Sequence, residues 1–451
     1  MNLDSICSDE PNAHAATLIS YDAAQPRSLQ SRLQKFVDAH GDLAFSGDDG
    51  RDLAHDIVQY PAMMVPKMQG GLLDCFQTEA QGRPLSVVDP FMGSGTILVE
   101  ARRRGLAFRG VDINPYALLI AQVKSTMLPG GELDALRVAV DGHIGADTST
   151  ALDHDFPGRS KWFRNDVARA LARIRRSIRK IEGVQQRRVL WACLGETVRV
   201  SSNSRTSTFK LHIRPTSEIG RDIDAFAVFR GVVSRAVDLL KRERSRWDRT
   251  APAPELQLGD VRKVSIPRSD LLLSSPPYGD NGTTVPYGQF SYLALQWMDL
   301  ADLPGPARHA VKNTHALDTK SLGGGLKNAL ASRADLEARS PALAGFLALL
   351  DAKDADNGLK RVVAFYRDLD SALERCVDLV KPKGHMVWTV GNRRVCSEAV
   401  PMDVILRELL EARGCTFVTD LKRVIPSKRM ATKNSITDTM RSETVVVVRN
   451  G

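Results

Sequence analysis

Two short stretches of this chain hold residue types that could bind a cofactor and a substrate side by side. The first is Asp89-Pro90-Phe91-Met92-Gly93-Ser94-Gly95-Thr96. It follows the apolar run Leu85 to Val88, which reads as a buried parallel strand, and leads into a helix, Thr96 to Arg104, with Ile97, Leu98 and Ala101 on one face. A second short strand, Phe108 to Val111, ends at Asp112. Strand, glycine turn, helix, strand and acid form the ground plan of a nucleotide-type cofactor site. Gly93 and Gly95 let the backbone approach the ligand, and an acid about 20 residues on accepts from ribose hydroxyls. The hydride-cofactor spacing G-x-G-x-x-G fits less well, because no third glycine follows. The second stretch is Ser275-Pro276-Pro277-Tyr278, after the apolar strand Leu271 to Ser274. Open α/β sheets place ligands at the carboxyl ends of their strands. Either stretch alone also occurs as a ligand-free turn. Their order, with the acid-ended strand Leu256 to Asp260 between them, argues for one site.

The elements that must position these residues come from a chain of 451 residues, long enough for a large core and more than one domain. Hydrophobic content of 43% and charged content of 25% are those of an ordinary globular protein. No run of 18 apolar residues occurs, so no membrane span is expected. The N-terminus is polar and acidic, without the features of a secretory signal, and a cytoplasmic location is expected. Six scattered cysteines without a CxxC pair read as reduced thiols, and no metal site is expected. The net charge is +9, but residues 158–250 hold 23 Lys and Arg against 9 Asp and Glu, a local +14 that leaves −5 for the remainder. A basic excess confined to one stretch suits a polyanion-binding surface, although basic helix faces in water give the same count.

Along the chain, residues 1–50 read as a loose tail followed by a helix, Ser28 to His40. Residues 51–129 form the first, cofactor-binding part of a catalytic domain, including a helix from Pro115 to Met127. Residues 130–250 break the strand–helix alternation and read as an inserted, mostly helical basic module. It contains a helix from Trp162 to Ile181 with Val167, Leu171, Ile174, Ile178 and Ile181 on one side and arginines on the other, and a polar loop, Ser201 to Thr208, that leads into an alternating, strand-like segment, Phe209 to Ile213. Residues 251–451 form the second part of the catalytic domain, with a flexible insertion about 301–345. Strands are expected at His385 to Val390, Thr416 to Ile425 and Glu443 to Val448, the last two joined by a basic loop.

The sequence DPFMGSGT closely resembles the cofactor loop of the amino-methyltransferases, enzymes that use S-adenosylmethionine to methylate exocyclic amines of nucleic-acid bases. SPPY matches their base-gripping [DNS]-PP-[YFW] tetrapeptide. The resemblance implies an α/β fold: a seven-stranded, mostly parallel, Rossmann-like methyltransferase sheet with a terminal antiparallel hairpin, plus the helical basic insertion. It implies S-adenosylmethionine as cofactor. Tyr60 and Pro61 would fold over its methionine end. Asp89 or its backbone neighbours Pro90 and Phe91 would face the methionine amino group, with Gly93, Gly95 and Thr96 in the loop. Asp112, followed by Ile113, would take the ribose hydroxyls, and Asp260 would accept from the adenine amine. Asp260 departs from the simple pattern, because nearly 150 residues separate it from Asp112.

An exocyclic base amine is a poor nucleophile because its lone pair is delocalised into the ring. The Ser275 hydroxyl and the Pro276 carbonyl, held outwards by Pro276 and Pro277, would accept the amine hydrogens, and Tyr278 would stack on an extruded base. Tyr287 and Tyr292 are further candidates for the pocket wall, with core packing the competing role for Tyr292. Ser as the first letter resembles the cytosine-N4 enzymes. Cytosine-C5 chemistry is disfavoured, since no Pro-Cys pair supplies the thiolate. Candidate nucleic-acid contacts are Arg173, Arg176 and Arg205 in the insertion and Lys428, Arg429 and Lys433 in the terminal loop. The expected partner is double-stranded DNA, with cognate restriction or defence proteins as candidate protein partners. The alternatives are an adenine-N6 DNA methyltransferase, a tRNA or rRNA base methyltransferase, and a catalytically silent nucleic-acid-binding protein.

Overall fold

The computed structural model describes residues 28–41, 43–45, 52–281, 284–425 and 442–451. The expected N-terminal tail and the candidates Lys428, Arg429 and Lys433 lie outside these residues. Seven strands make one sheet: β1 (Ser86–Asp89), β2 (Ala107–Asp112), β3 (Glu255–Leu258), β4 (Ser269–Ser274), β5 (Val380–Val390), β8 (Thr416–Val424) and β9 (Ser442–Arg449), in the order β3-β2-β1-β4-β5-β9-β8. A separate two-stranded ribbon, β6 (Arg394–Val395) and β7 (Glu398–Ala399), lies beside it. The first five sheet strands pair in parallel, and β9 enters antiparallel between β5 and β8. This is the expected α/β sheet with its terminal hairpin. The central strands are apolar on both faces because helices cover both: Val87, Val88, Leu272, Leu273, Val387 and Val447 are fully buried. Edge strand β3 instead alternates half-buried Leu with Gln and Glu.

One layer is built by α1 (Leu29–His40), α2 (Pro66–Glu79) and α3 (Thr96–Arg103), whose Leu33, Leu72 and Ile97 share a core with Val87 and Leu271. The helix after β2, α4 (Pro115–Lys124), starts the insertion's core. The insertion follows as α5 (Gly130–Ala146), α6 (Arg159–Trp162), α7 (Asn165–Arg179), α8 (Val184–Ser201), α9 (Thr216–Ile219) and α10 (Ala225–Ser245). Trp191 and Leu194 of α8 lie in one core with Tyr116 and Ile120 of α4 and with Tyr292 and Trp297 of α11 (Tyr287–Trp297). The insertion is therefore packed into the catalytic domain. The opposite face carries α12 (Arg333–Arg339), α13 (Pro341–Asp351), α14 (Asp356–Asp378) and α15 (Met402–Glu411) around Trp388 and Leu272.

Three local expectations shift. The single helix expected over 162–181 is broken, because Phe163 is extended and buried and Arg164, also extended, bonds Asp166 and the Gly220 and Arg221 carbonyls. The segment 209–213 forms no strand; one isolated bridge joins Ser204 and Ile213. The 301–345 stretch, expected to be flexible, is a run of turns and short helices with Leu317, Leu322, Ala329 and Leu336 buried. No helix among the described residues is long and apolar enough to cross a membrane, and no group of three or more His, Cys, Asp or Glu among them could hold a metal ion.

Candidate active site

The glycine loop takes its shape from positive backbone φ angles at Gly93 (+53°) and Gly95 (+79°), which glycine adopts without strain. It is stitched to the end of β2. The Met92 amide donates to the Val111 carbonyl at 3.0 Å, and the Gly93 amide donates to Asp112 Oδ2 at 2.7 Å. Asp112 Oδ1 accepts from the Asn114 amide at 2.8 Å. Burial pushes the Asp112 carboxyl up to about 6, against the pull of these backbone N–H groups. Asp112 thus braces the loop and lines the cleft beside it.

Asp89 is placed differently. Its side chain is fully buried and absent from the cleft wall. Its Oδ1 accepts from the Ser274 hydroxyl at 2.6 Å and from the Phe91 amide at 3.1 Å, while Oδ2 has no partner. Of the two alternatives at this point, the backbone neighbours face the cleft. Asp89 lies underneath, tying β1 to β4, and burial raises its carboxyl to about 7.

The cleft spans about 930 Å³ of atom-free space, open solvent at its mouth included. Its wall brings together Tyr60, Pro61, Pro90, Phe91, Gly93, Thr96, Asp112, Ile113, Asp260, Ser275, Pro277 and Tyr287. Gly95 lies behind the wall, where an added Cβ would press on Ala121 and Leu98 at 3.2 Å. Asp260 reaches the cleft despite the insertion, because β3 pairs with β2 and the Gly259 amide donates to the Asp112 carbonyl at 2.9 Å. Burial raises the Asp260 carboxyl, but Arg262, at 2.9 Å and 2.7 Å, outweighs it and holds it below the ordinary value. Tyr60 is buried, stacked on Tyr287 (5.9 Å between centroids) and bonded through its hydroxyl to Asn114 at 3.1 Å. Burial raises the Tyr60 phenol well above its ordinary value, so it acts as a neutral wall. Tyr292 is a core residue in the α11 packing.

At the tetrapeptide, Ser275 and Pro277 face the cleft, while Pro276 is buried. The Tyr278 ring packs against the α14 and β5 core, and its hydroxyl lies 3.1 Å from Ser275 Oγ and donates to Glu443 Oε1 at 2.9 Å. Several wall residues had no signal of their own. Asn281 holds Asp318 at 3.0 Å and Ser321 at 2.8 Å, which brings Leu317, Lys320, Ser321 and Leu322 of the 301–345 stretch onto the cleft. Lys124, fully buried, donates to Ser94 Oγ at 3.2 Å behind the loop. The only available hint was the position of Asn281, three residues past Tyr278, in the same turn.

The basic candidates separate. Arg173 donates to the Ile144 carbonyl at 2.8 Å, at the C-terminal end of α5. Arg176 pairs with Asp147 at 2.8 Å and Asp153 at 2.9 Å. Their donors brace the insertion. Arg205 is exposed at the base of a loop closed by Arg205 N–H to the His212 carbonyl and Arg214 N–H to the Asn203 carbonyl, both 2.8 Å. That loop meets α11 next to the cleft: the Leu211 amide donates to Gln289 Oε1 at 3.3 Å, and Phe209 packs edge-on against Phe290 at 6.0 Å.

No model of a known protein family matches the chain. The chain is 30% identical over 443 residues to the Type II methyltransferase M.MvaI of Kocuria varians, an alignment that covers 92% of this chain and 95% of that protein. A shorter stretch of 86 residues is 36% identical to the Type II methyltransferase M.MjaII of Methanocaldococcus jannaschii, covering 18% of this chain and 16% of that one. Two structures of the rRNA methyltransferase aviRa from Streptomyces viridochromogenes align over 95% and 90% of the chain at 12% identity, with TM-scores of 0.30 and 0.31, too low to bear on fold or function.

Proposed function

The chain belongs to the type II methyltransferases, and from that premise we propose that it transfers a methyl group from S-adenosylmethionine to an exocyclic amine of a DNA base, cytosine N4, after flipping that base out of the helix. One observation carries the reading: the glycine loop, the two acids and the SPPY serine, scattered over 180 positions of sequence, line one cleft. The residues present suit the cofactor. Gly93 leaves the approach open where a Cβ would stand 3.7 Å from the Tyr60 ring. Asp112, at the end of β2, and Asp260, two residues past the end of the adjacent β3, would accept from the ribose hydroxyls and the adenine amine. Tyr60, Pro61, Phe91 and Ile113 supply apolar walls. When bound, the cofactor supplies an activated methyl group on a sulfonium.

The chain's own part is positioning. Ser275 Oγ, on the cleft wall, would accept an amine hydrogen and turn the nitrogen lone pair towards the donor; the Pro276 carbonyl and the Tyr278 ring, which do not line the cleft as it stands, would complete the grip only once a base enters. Flipping costs a few kcal/mol, which contacts in the pocket recover. DNA contact falls to the 203–214 loop, with Arg205 and Lys210, and to Lys428, Arg429 and Lys433.

The test is expression in a host lacking base methylation, with separate nucleoside mass spectrometry of DNA and RNA. N4-methylcytosine in the DNA, absent with Ser275→Ala, is the expected result. N6-methyladenine would overturn the choice of base, and a mark confined to RNA would overturn the choice of polymer.

A further inference from the structure

Ser275 does not stand alone at the cleft. Its Oγ lies 3.1 Å from the Tyr278 hydroxyl, and that hydroxyl is 2.9 Å from Oε1 of Glu443, on β9 and 165 residues further along the chain. The other carboxylate oxygen of Glu443 is taken by the Arg423 guanidinium, itself fixed by a 3.2 Å bond to the Leu43 carbonyl. The donors and acceptors of this chain fit in one sense. A carboxylate facing a guanidinium accepts, so the Tyr278 O–H donates to Glu443. The Tyr278 oxygen is then the acceptor for the Ser275 O–H. Ser275 is left with lone pairs alone to offer the cleft, and lone pairs are what the N–H groups of an amine require.

We propose that Glu443 is a positioning residue for methyl transfer: through Tyr278 it holds Ser275 as a pure acceptor and receives the proton that the reaction releases. The inference rests on the reading that Ser275 faces the target amine. In the transfer the amine nitrogen forms a bond to the methyl carbon, and the carbon–sulfur bond breaks with its electron pair staying on sulfur. The nitrogen is left positively charged with one proton too many. That proton passes to Ser275 Oγ, the Ser275 proton passes to the Tyr278 oxygen, and the Tyr278 proton passes to Glu443 Oε1. The amine ends neutral and Glu443 ends as a carboxylic acid, which returns its proton to solvent after product release. A carboxylate is base enough, because an alkylated exocyclic amine whose lone pair belongs to the ring is a strong acid. The same polarity gives specificity: a base with a carbonyl in place of the amine would set an acceptor against an acceptor.

The experiment compares wild type, Tyr278→Phe, Glu443→Gln and the double variant on unmethylated plasmid DNA with radiolabelled S-adenosylmethionine in single turnover. Tyr278→Phe keeps the ring and the Glu443–Arg423 pair, so it guards against a folding defect in Glu443→Gln. Cofactor affinity and melting temperature are measured on all four. Each single variant is expected to lose about tenfold or more in transfer rate with cofactor affinity unchanged. The double variant is expected to be no slower than the worse single, since both cut one chain. A binding readout accompanies the rates. With the target mapped, the affinity ratio for DNA carrying cytosine over DNA carrying uracil there should fall about tenfold in Glu443→Gln relative to wild type. A transfer rate within twofold of wild type in either single variant overturns the proposal, as do losses that multiply in the double variant. Transfer by wild type to an amine with intact rates in the variants removes the relay alone. No transfer to any DNA by wild type removes the amine reading and the relay with it.

Discussion

Asp89 should make the protein less stable as pH rises, and Asp89→Asn should remove that dependence. The carboxyl is fully buried, with one oxygen bonded to the Ser274 hydroxyl and the Phe91 amide and the other without a partner. Burial raises it from an ordinary 3.8 to about 7. Between these values the unfolded chain has released its proton and the folded chain has kept it, so the unfolded state binds fewer protons and stability falls as pH increases. The slope reaches about 1.4 kcal/mol per pH unit, and the whole loss comes to about 4 kcal/mol, complete above the folded value. Of this, about 3 kcal/mol falls between pH 5 and pH 8. Asparagine has the same shape and keeps an oxygen to accept both existing bonds, while its amide group takes the position of the unpartnered oxygen. Urea unfolding of both proteins at pH 5, 6, 7 and 8 measures the difference directly. The Asp112 carboxyl, also raised by burial, to about 6, pushes in the same direction but is common to both and cancels. The expected result is a stability difference that grows in favour of Asp89→Asn by about 3 kcal/mol from pH 5 to pH 8. A difference that stays flat, or moves the other way, would show that Asp89 is ionised in the folded protein and that the loop rests on a buried charge.

Two further substitutions test the loop and the nucleic-acid surface. Gly110→Ala would set a Cβ 2.3 Å from Met92 Sδ, pushing a wall residue of the cleft, and should weaken cofactor binding about tenfold by calorimetry at a stability cost of about 1–3 kcal/mol; unchanged affinity would mean that Met92 does not set the loop's position. Arg205→Ala with Lys210→Ala should make the slope of log affinity for DNA against log salt shallower by about one for each phosphate left unneutralised, with cofactor affinity intact; an unchanged slope would place the phosphate-binding cations elsewhere.

The sheet was legible because its strands are buried on both faces and so appear as unbroken apolar runs; Leu271–Leu273 and Val445–Val448 announce themselves. The glycine loop was legible because its backbone needs glycine at two left-handed positions and an acid at the next strand end. The charge count misled where it treated every arginine as surface. Arg173 takes carbonyls at the C-terminal end of α5, and Arg176 is spent on Asp147 and Asp153. A cation suits that end of a helix for reasons local composition does not display. Glu443, Asn281 and Lys124 escaped for a related reason. Each matters through hydrogen bonds to residues distant in sequence, and no periodicity encodes such bonds.

The insertion presents the sharper problem, because 147 residues lie between Asp112 and Asp260, which line one cleft. The sheet solves it by register: Asp112 pairs with Leu258, so the chain leaves from the end of β2 and returns to the strand beside it. Everything between can grow without moving either acid, provided it leaves the cleft edge open. The insertion does so by burying its apolar side against α4 and α11. That packing has a consequence for recognition. Tyr60 of the cofactor wall stacks on Tyr287 and meets Phe290 edge-on at 5.8 Å, and Phe290 in turn meets Phe209 at the tip of the 203–214 loop. A chain of rings through α11 therefore joins the cleft wall to the 203–214 loop. If the 203–214 loop meets DNA as proposed, a displacement of Phe209 would be passed through Phe290 to Tyr60, because close-packed rings leave little room to move independently.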